Sequence, residues 1–466
     1  MQPPLQRAVL VPLIVACALF MENMDSTVIT TSLPAIAVDI GEHPLGLKLA
    51  LTSYLVSLAV FIPISGWVAD RYGSQTVFAT AITVFIGGSL LCAVSTSLAA
   101  FVASRFLQGI GGAMMVPVGR LVLMRAVPKH EYIAALNYLT IPALVGPVIG
   151  PALGGAITLY LHWRWIFLIN LPIGLLGLFL VRRFIPNLRE SSVPPFDWRG
   201  FALSGFGLSL LMLGLSALGG HLLPAEATAL SIGAGVVVLV VYSVHARRSA
   251  HPSLDLKLFR IPTFFNGVAA GSLFRIGVGA TPFLLPLLLQ LGFGLNPLQS
   301  GLLTCATAVG AMFMKTLTVA ILRRWGFRRV LSLNALIAAA GVASYALFTG
   351  ATPHLVIIMV LLVSGCFRSL QFTGLQALSF ADATRQNMSQ ATSISSMAQR
   401  LSQSLGIALG AYVLELSSVA QGHASIVAGD FPPAFIAIAL IAALSAPFHR
   451  RLSAGAGREV SGHSAK

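Results

Sequence analysis

Between residues 8 and 448, apolar residues come in long stretches of about twenty, broken by short polar segments. A helix rises 1.5 Å per residue, so about twenty residues cover a hydrocarbon core ~30 Å thick. A membrane β-barrel would instead show segments of about ten residues with alternating polarity, and no such pattern is present. The pattern predicts fourteen spans, near 8–36, 48–69, 76–95, 99–122, 133–158, 164–184, 200–219, 226–245, 262–290, 298–321, 329–349, 354–378, 390–416 and 431–448. The Gly- and Ser-rich run 200–219 also reads as a surface helix of a twelve-span chain. The spanning length of both central runs, and the short uncharged turn His221-Leu222-Leu223-Pro224 between them, favour fourteen.

The predicted fold class is therefore an all-α polytopic membrane protein of two six-helix bundles with two additional central helices. The expected division is 1-185 for the first bundle, 186-261 for the extra helices and their linkers, 262-449 for the second bundle, and 450-466 for a disordered tail. The two bundles look like internal halves. The loop Gly66-Trp67-Val68-Ala69-Asp70-Arg71-Tyr72-Gly73 follows the second span of one, and Arg323-Arg324-Trp325-Gly326-Phe327-Arg328-Arg329 follows the second span of the other. Transporters built from paired halves hold substrate at the interface near the midplane and rock one half against the other.

Composition narrows the class. With 56% hydrophobic and 9% charged residues and a mean hydropathy of +0.86, a soluble globular chain is excluded. The net charge of +15 suggests nucleic acid until its distribution is read. Basic residues cluster in alternate loops, for example Arg182, Arg183 and Arg189, then Arg247 and Arg248, then Arg323 to Arg329; Lys48 and Arg164 are the exceptions. That bias predicts that both termini are cytoplasmic and that the charge is a topology signal, with no nucleic-acid partner. The four cysteines lie in separate apolar runs without metal spacing, so packing is their expected role. A retained first helix, not a cleaved leader, is expected at the N-terminus.

Candidate chemistry starts with Glu22-Asn23-Met24-Asp25-Ser26-Thr27, inside the first span. An ionisable side chain at bilayer depth costs roughly 2.5–3.5 kcal/mol on insertion scales, so it is kept mainly where it works. Asp25 is the leading candidate for a proton-carrying site. Glu22 lies three residues away on the same helix face, where mutual repulsion favours proton exchange; the bland alternative leaves Glu22 passive, facing lipid headgroups or a water-filled vestibule. Arg105 heads Arg105-Phe106-Leu107-Gln108-Gly109-Ile110-Gly111-Gly112-Ala113, and Arg275, Arg368 and Arg400 lie deep in later spans. They read either as cavity residues hospitable to anionic cargo or as structural bonds to helix carbonyls. Gly146, Gly150 and Gly154 recur every four residues around Pro147 and Pro151, which suggests a sealing or rocking helix face beside ordinary close packing.

Several motifs together resemble the fourteen-span drug:proton antiporter branch of the major facilitator superfamily over nearly the whole chain. They are Met24-Asp25-Ser26-Thr27-Val28-Ile29 with Leu33-Pro34, the Gly66 to Gly73 loop, the Arg105 to Ala113 run and the Gly146 to Gly155 run. Trp163-Arg164-Trp165-Ile166-Phe167-Leu168-Ile169-Asn170-Leu171-Pro172-Ile173-Gly174 and Arg400-Leu401-Ser402-Gln403-Ser404-Leu405-Gly406 add to them. The resemblance implies that Asp25 couples protons, Arg105 assists proton transfer, Asp70 and Arg71 latch the cytoplasmic gate, and Gly150 with its neighbours serves antiport. Ser74 and Gln75 depart from the family's basic residues after Gly73, which implies a weaker latch or another partner for Asp70.

The expected function is proton-coupled export of small molecules, with multidrug efflux first and an organic anion or metabolite as the alternative cargo. A channel is disfavoured by the lack of a filter sequence, and an enzyme by the lack of nucleophile–base or metal-ligand spacing. No G-x-x-x-x-G-K-[ST] loop is found, so an ion gradient is the expected energy source. The expected partners are substrate, protons and membrane lipid, with a monomeric chain and no metal or cofactor.

Overall fold

Helix ends follow the punctuation in the sequence. Gly73 (φ 96°) and Gly326 (φ 71°) occupy left-handed backbone that side-chain-bearing residues avoid, and each turns the chain between two long helices. Those are the glycines of the two loops that suggested internal halves. Asn296 accepts from Gln299 N while the Gln299 side chain accepts from Asn296 N, a reciprocal N-cap. The carboxylate of Asp197 accepts from Gly200 N at 2.9 Å and opens another helix.

The protein is described by a computed structural model covering residues 4–126, 132–190, 193, 195–218, 223–249, 252–384, 387–423, 425–453 and 455–461; side chains at 4–9, 124–126, 132–144, 389 and 461 are outside that description. The basic side chains of Arg125, Lys129 and Arg385 and the turn residues His221 and Leu222 therefore lie outside the described residues. The helices are α1 (Pro4–Val28), α2 (Lys48–Tyr72), α3 (Ser74–Val94), α4 (Leu98–Ala126), α5 (Tyr132–Tyr160), α6 (Asn170–Phe184), α7 (Trp198–Ser216) and α8 (Ala225–Arg248). They continue with α9 (Pro262–Gly292, with two π-helical turns), α10 (297–325), α11 (327–343), α12 (His354–Phe380), α13 (Met388–Ala420) and α14 (Phe431–Ala443).

Among the described residues, twelve stretches are long and apolar enough to cross a membrane. One of them, Pro297–Leu347, is 51 residues long and is folded at Gly326 into α10 and α11. The 29-residue α5 supplies a further apolar crossing, so fourteen spanning helices are present among the described residues, as the hydropathy pattern predicts. No strand occurs among those residues.

Helices α1–α6 pack with one another, as do α9–α14. The two bundles meet along α5 against α10 and α2 against α13. Helix α7 covers the second seam, touching both α2 and α13, while α8 packs on α7 at the periphery. Glycine explains the composition of this pair. A Cβ at Gly207 or Gly214 would strike α8, and one at Gly235 would come within 2.6 Å of Leu211 N, so the two backbones approach closely. Ser231 adds a 2.8 Å bond to the Leu210 carbonyl. The Gly- and Ser-rich run that also reads as a surface helix is thus packed closely against its neighbour.

The two basic exceptions on the face opposite the chain termini are held in ion pairs, Lys48 with Glu415 at 3.8 Å and Arg164 with Asp39 at 2.6 Å. The described part of the segment after Arg450 packs on the second bundle. Leu452 is buried, Arg458–Ser461 is helical, and Gly457 lies against Phe327.

Candidate functional site

Helix α1 does not cross as one straight rod. After Val28 it tightens into the 3-10 turn Ile29–Thr31, then restarts at Leu33–Ile40 with Pro34 in its first turn. Thr27, Thr30, Thr31 and Ser32 donate to carbonyls three or four residues back, the hydroxyl pattern that bends helices. Asp25 sits just before this break, 3% exposed.

Its carboxylate is enclosed by donors from two neighbouring helices. Arg105 Nη1 donates to Oδ2 at 2.7 Å, and Gln108 Nε2 and Asn170 Nδ2 donate to Oδ1 at 2.8 Å each. Gln108 and Asn170 also donate to Ser89 Oγ, at 2.7 and 3.0 Å, and Arg105 Nη1 reaches Gln108 Oε1 at 2.5 Å. The Arg105 guanidinium lies 4.3 Å from the centre of the Tyr54 ring. Glycine makes this approach feasible: a Cβ at Gly109 or Gly112 would press on the backbone or hydroxyl of Tyr54. A buried carboxylate with a guanidinium and two amides is a strong, fully desolvated network, whose pattern of donors must change when the acid takes a proton.

Glu22 takes a different partner. Its Oε1 accepts from Arg400 Nη2 of α13 at 3.0 Å, with the Tyr54 hydroxyl 3.5 Å away, and its Oε2 is buried without a partner. The neighbouring acids predicted to act on each other are thus divided. Asp25 is held within the first bundle, and Glu22 bridges the two bundles. Arg105 and Arg400 both line a small cavity at the bundle interface, with Ser26, Thr30 and Gln403. Arg368 lines a second interface cavity, of about 120 Å³. Arg275 lines neither: it is buried inside the second bundle and donates to the Gly267 carbonyl at 3.0 Å.

The glycine stripe of α5 faces its own bundle. A Cβ at Gly146, Gly150 or Gly154 would meet α1 or the turn after it, at Met24, Thr27 and Val28 respectively. The residue pressed against the other bundle is Gly155, off the stripe, whose Cβ would strike the Pro297 carbonyl; Gly301 returns the contact on the Pro151 carbonyl. Cys305 Sγ donates to the Val148 carbonyl at 2.9 Å, and Gln290 Nε2 to the Thr31 carbonyl at 2.9 Å. These contacts close the half of the interface away from the chain termini.

At the terminal face, the Gly66 to Gly73 loop borders a cavity of about 400 Å³ with Trp67, Asp70, Asp197, Asp255 and Gln390. The Asp70 carbonyl accepts from Glu190 N, while Arg71 is exposed. A Cβ on Gly73 would occupy the position of the Asn187 amide. Ser74 N donates to the Leu188 carbonyl at 3.1 Å, and Gln75 Nε2 to the carbonyls of Val181 and Arg182. The two residues that depart from the family loop therefore tie it to the end of α6 and the segment beyond.

Gln108, Asn170, Ser89 and Tyr54 join this cluster beyond the residues that the sequence pattern singles out. Gln108, one turn beyond Arg105 in the same motif, carries a local signal, and nothing local marks Ser89.

The profile of the Major Facilitator Superfamily matches residues 15–407, and a second match covers 267–459. The chain belongs to the Major Facilitator Superfamily. It is similar, at 39% identity over 441 residues, to MdtD of Escherichia coli (strain 55989 / EAEC) and of Shigella boydii serotype 4 (strain Sb227), proteins named for multidrug resistance; each match covers 93% of this chain and 92% of the relative. Its fold is similar to that of the nucleoside transporter NupG (TM-score 0.63, 12% identity, covering 94% of this chain and 98% of that one). A bacterial homologue of the human lysosomal transporter Spinster gives a TM-score of 0.64 at 14% identity, covering 95% and 96%. The protein is a multi-pass membrane transporter of the secondary class, with small molecules as substrates.

Proposed function

We propose that this superfamily member is a proton-coupled exporter of small organic molecules, of the multidrug-efflux kind. It would reside in the bacterial inner membrane as a monomer with both termini cytoplasmic. The observation that carries the reading is Asp25, buried among Arg105, Gln108 and Asn170, with Arg105 opening onto the bundle interface. Protonation of Asp25 removes the charge that holds Arg105, and the released guanidinium then faces the substrate path. Proton binding and cargo binding thereby compete for one set of donors, which is what antiport requires. The bundles 1-185 and 262-449 rock about the α5–α10 and α2–α13 seams, with the Asp70 and Arg71 loop at the cytoplasmic end. The MdtD relatives carry the cargo class by name only.

The test is proton release from energised inverted vesicles, scanning cationic drugs and organic anions, with Asp25→Asn alongside. A substrate-dependent collapse of the pH gradient, lost in the variant while the protein remains inserted, is the expected outcome. Normal coupled flux in Asp25→Asn would move the proton site elsewhere, with Glu22 next.

A further inference from the structure

Among the described residues, matching charges across the bundle interface leaves Arg368 without an acid. The three acids well inside the spanning helices each face a base: Asp25 with Arg105, Glu22 with Arg400 and Glu415 with Lys48. Arg275 spends a donor on the Gly267 carbonyl. Arg368, halfway along α12, has no hydrogen-bond or ion-pair partner among the described residues, and it lines the 120 Å³ cavity between the bundles.

Among the described residues, the wall of that cavity contains no Asp or Glu, and includes Thr27, Thr30, Thr281, Thr304 and Thr307 among proline, leucine and alanine side chains. Thr27, Thr30 and Thr304 commit their hydroxyl protons to nearby carbonyls. Thr281 is only 3% exposed, and its Oγ1 has no partner. Thr307 likewise donates to no protein group among the described residues. Arg368 and two threonines whose hydroxyls have no acceptor among the described residues therefore line one space whose remaining wall is apolar or already hydrogen-bonded, and one of the three is a permanent cation. Such a cation is kept at membrane depth where something compensates it.

We propose that Arg368, with Thr281 and Thr307, binds an anionic group of the cargo: a carboxylate or sulfonate on a small, otherwise apolar molecule. The position suits such a ligand. Thr27 and Thr30 come from the first bundle and the other polar wall residues from the second, so an anion bound there touches both moving halves. This inference rests on the exporter reading and deepens it by naming the class of cargo.

Equilibrium binding to the purified full chain in phosphatidylcholine nanodiscs tests it, with benzoate and benzenesulfonate as probes and benzyltrimethylammonium as the matched cation. Both anions should bind saturably and the cation should not. Arg368→Gln should weaken the anions by about tenfold or more, and Arg368→Lys should recover part of the loss, because it keeps the charge but not the planar fork. Thr281→Val combined with Thr307→Val should weaken them less, and reports on the site if Arg368→Gln fails to fold. Absence of saturable anion binding to the wild type, or anion affinities unchanged in Arg368→Gln, would overturn the proposal. So would loss of benzoate binding in phosphatidylglycerol nanodiscs, which would assign the cation to a lipid headgroup. No proton gradient is present in this measurement, so its failure is distinct from failure of coupled flux in the vesicle assay.

Discussion

Asp25 and Glu22 differ less in their own chemistry than in what the fold places beside them. Gln108 and Asn170 share the load on Asp25 with Arg105, so each positions the carboxylate without carrying its countercharge. A hydrogen bond to a charged group is worth ≈1.5–3 kcal/mol, so Gln108→Leu should lower coupled flux by about tenfold or more in the vesicle assay. Thermal stability should fall with it, whereas insertion into the membrane should be unchanged. Glu22 presents the opposite case, because its partner belongs to the other bundle. Arg400→Ala strands a buried carboxylate, and removing one partner of such a pair costs roughly 3–5 kcal/mol. The melting temperature of the detergent-solubilised protein should fall, and adding Glu22→Gln should restore most of it. A variant pair showing no such rescue would mean that the ion pair contributes little. In the sequence, the depth of both acids was legible from hydropathy, whereas their partners, up to 378 positions away, were not.

Helices carry the next level of decision. The four-residue glycine spacing in α5 was readable as a close-packing face, but not the partner it packs against. That partner is α1 and the turn following it, so Gly150→Leu should separate the two and displace Thr27 and its neighbours. Gly155→Leu should instead push the bundles apart at Pro297. Exchange should be lost in both, while cysteine accessibility at the α5–α10 seam, read at Cys305, should rise in Gly155→Leu first. Equal accessibility in the two variants would remove the distinction. The extra pair, α7 and α8, is anchored by Asp197, which accepts from Gly200 N, His245 Nε2 and Ser253 N. Burial works against its charge, but those donors outweigh burial and hold its carboxyl below the ordinary value. A carboxyl lowered in this way contributes stability above its unfolded pKa of about 3.9 and loses it as pH falls through the folded value. Asp197→Ala should therefore lower thermal stability at neutral pH, with a cap worth about 1 kcal/mol, and the gap from wild type should close in strong acid. A gap that stays constant down to the lowest pH would exclude the carboxylate as its cause.

At the scale of the whole molecule, function depends on which halves separate and which stay joined. Lys48 of α2 meets Glu415 of α13 at 3.8 Å, and Lys48 Nζ also donates to the Leu218 carbonyl just after α7. One ammonium thus ties both bundles and the additional pair together on the face opposite the termini. Opening toward that face must break these contacts. Lys48→Glu should place two carboxylates opposite each other and shift the protein toward the arrangement open on that face, lowering exchange. The swapped pair Lys48→Glu with Glu415→Lys should recover transport and the accessibility pattern of the wild type. Failure of the swap to recover either would reduce the pair to a packing contact. The same scale explains the net charge of +15, since the excess lies in loops of the terminal face, and the two exceptions opposite are neutralised in ion pairs.

The order and length of apolar runs determined the helices, because a chain in lipid must satisfy its backbone hydrogen bonds within each segment. The glycines at 73 and 326 marked the paired turns for an equally local reason, their left-handed backbone. Site chemistry was legible only as far as burial by hydropathy reveals a costly charge. Which acid pairs with which base, which glycine meets its own bundle and which meets the other, and which arginine is left without an acid depend on contacts between helices. Those contacts are set by the rotation and depth at which helices pack, and a linear pattern of polarity does not encode them. Tertiary structure alone therefore divided Asp25 from Glu22, buried Arg275 away from the interface and left Arg368 facing an open cavity.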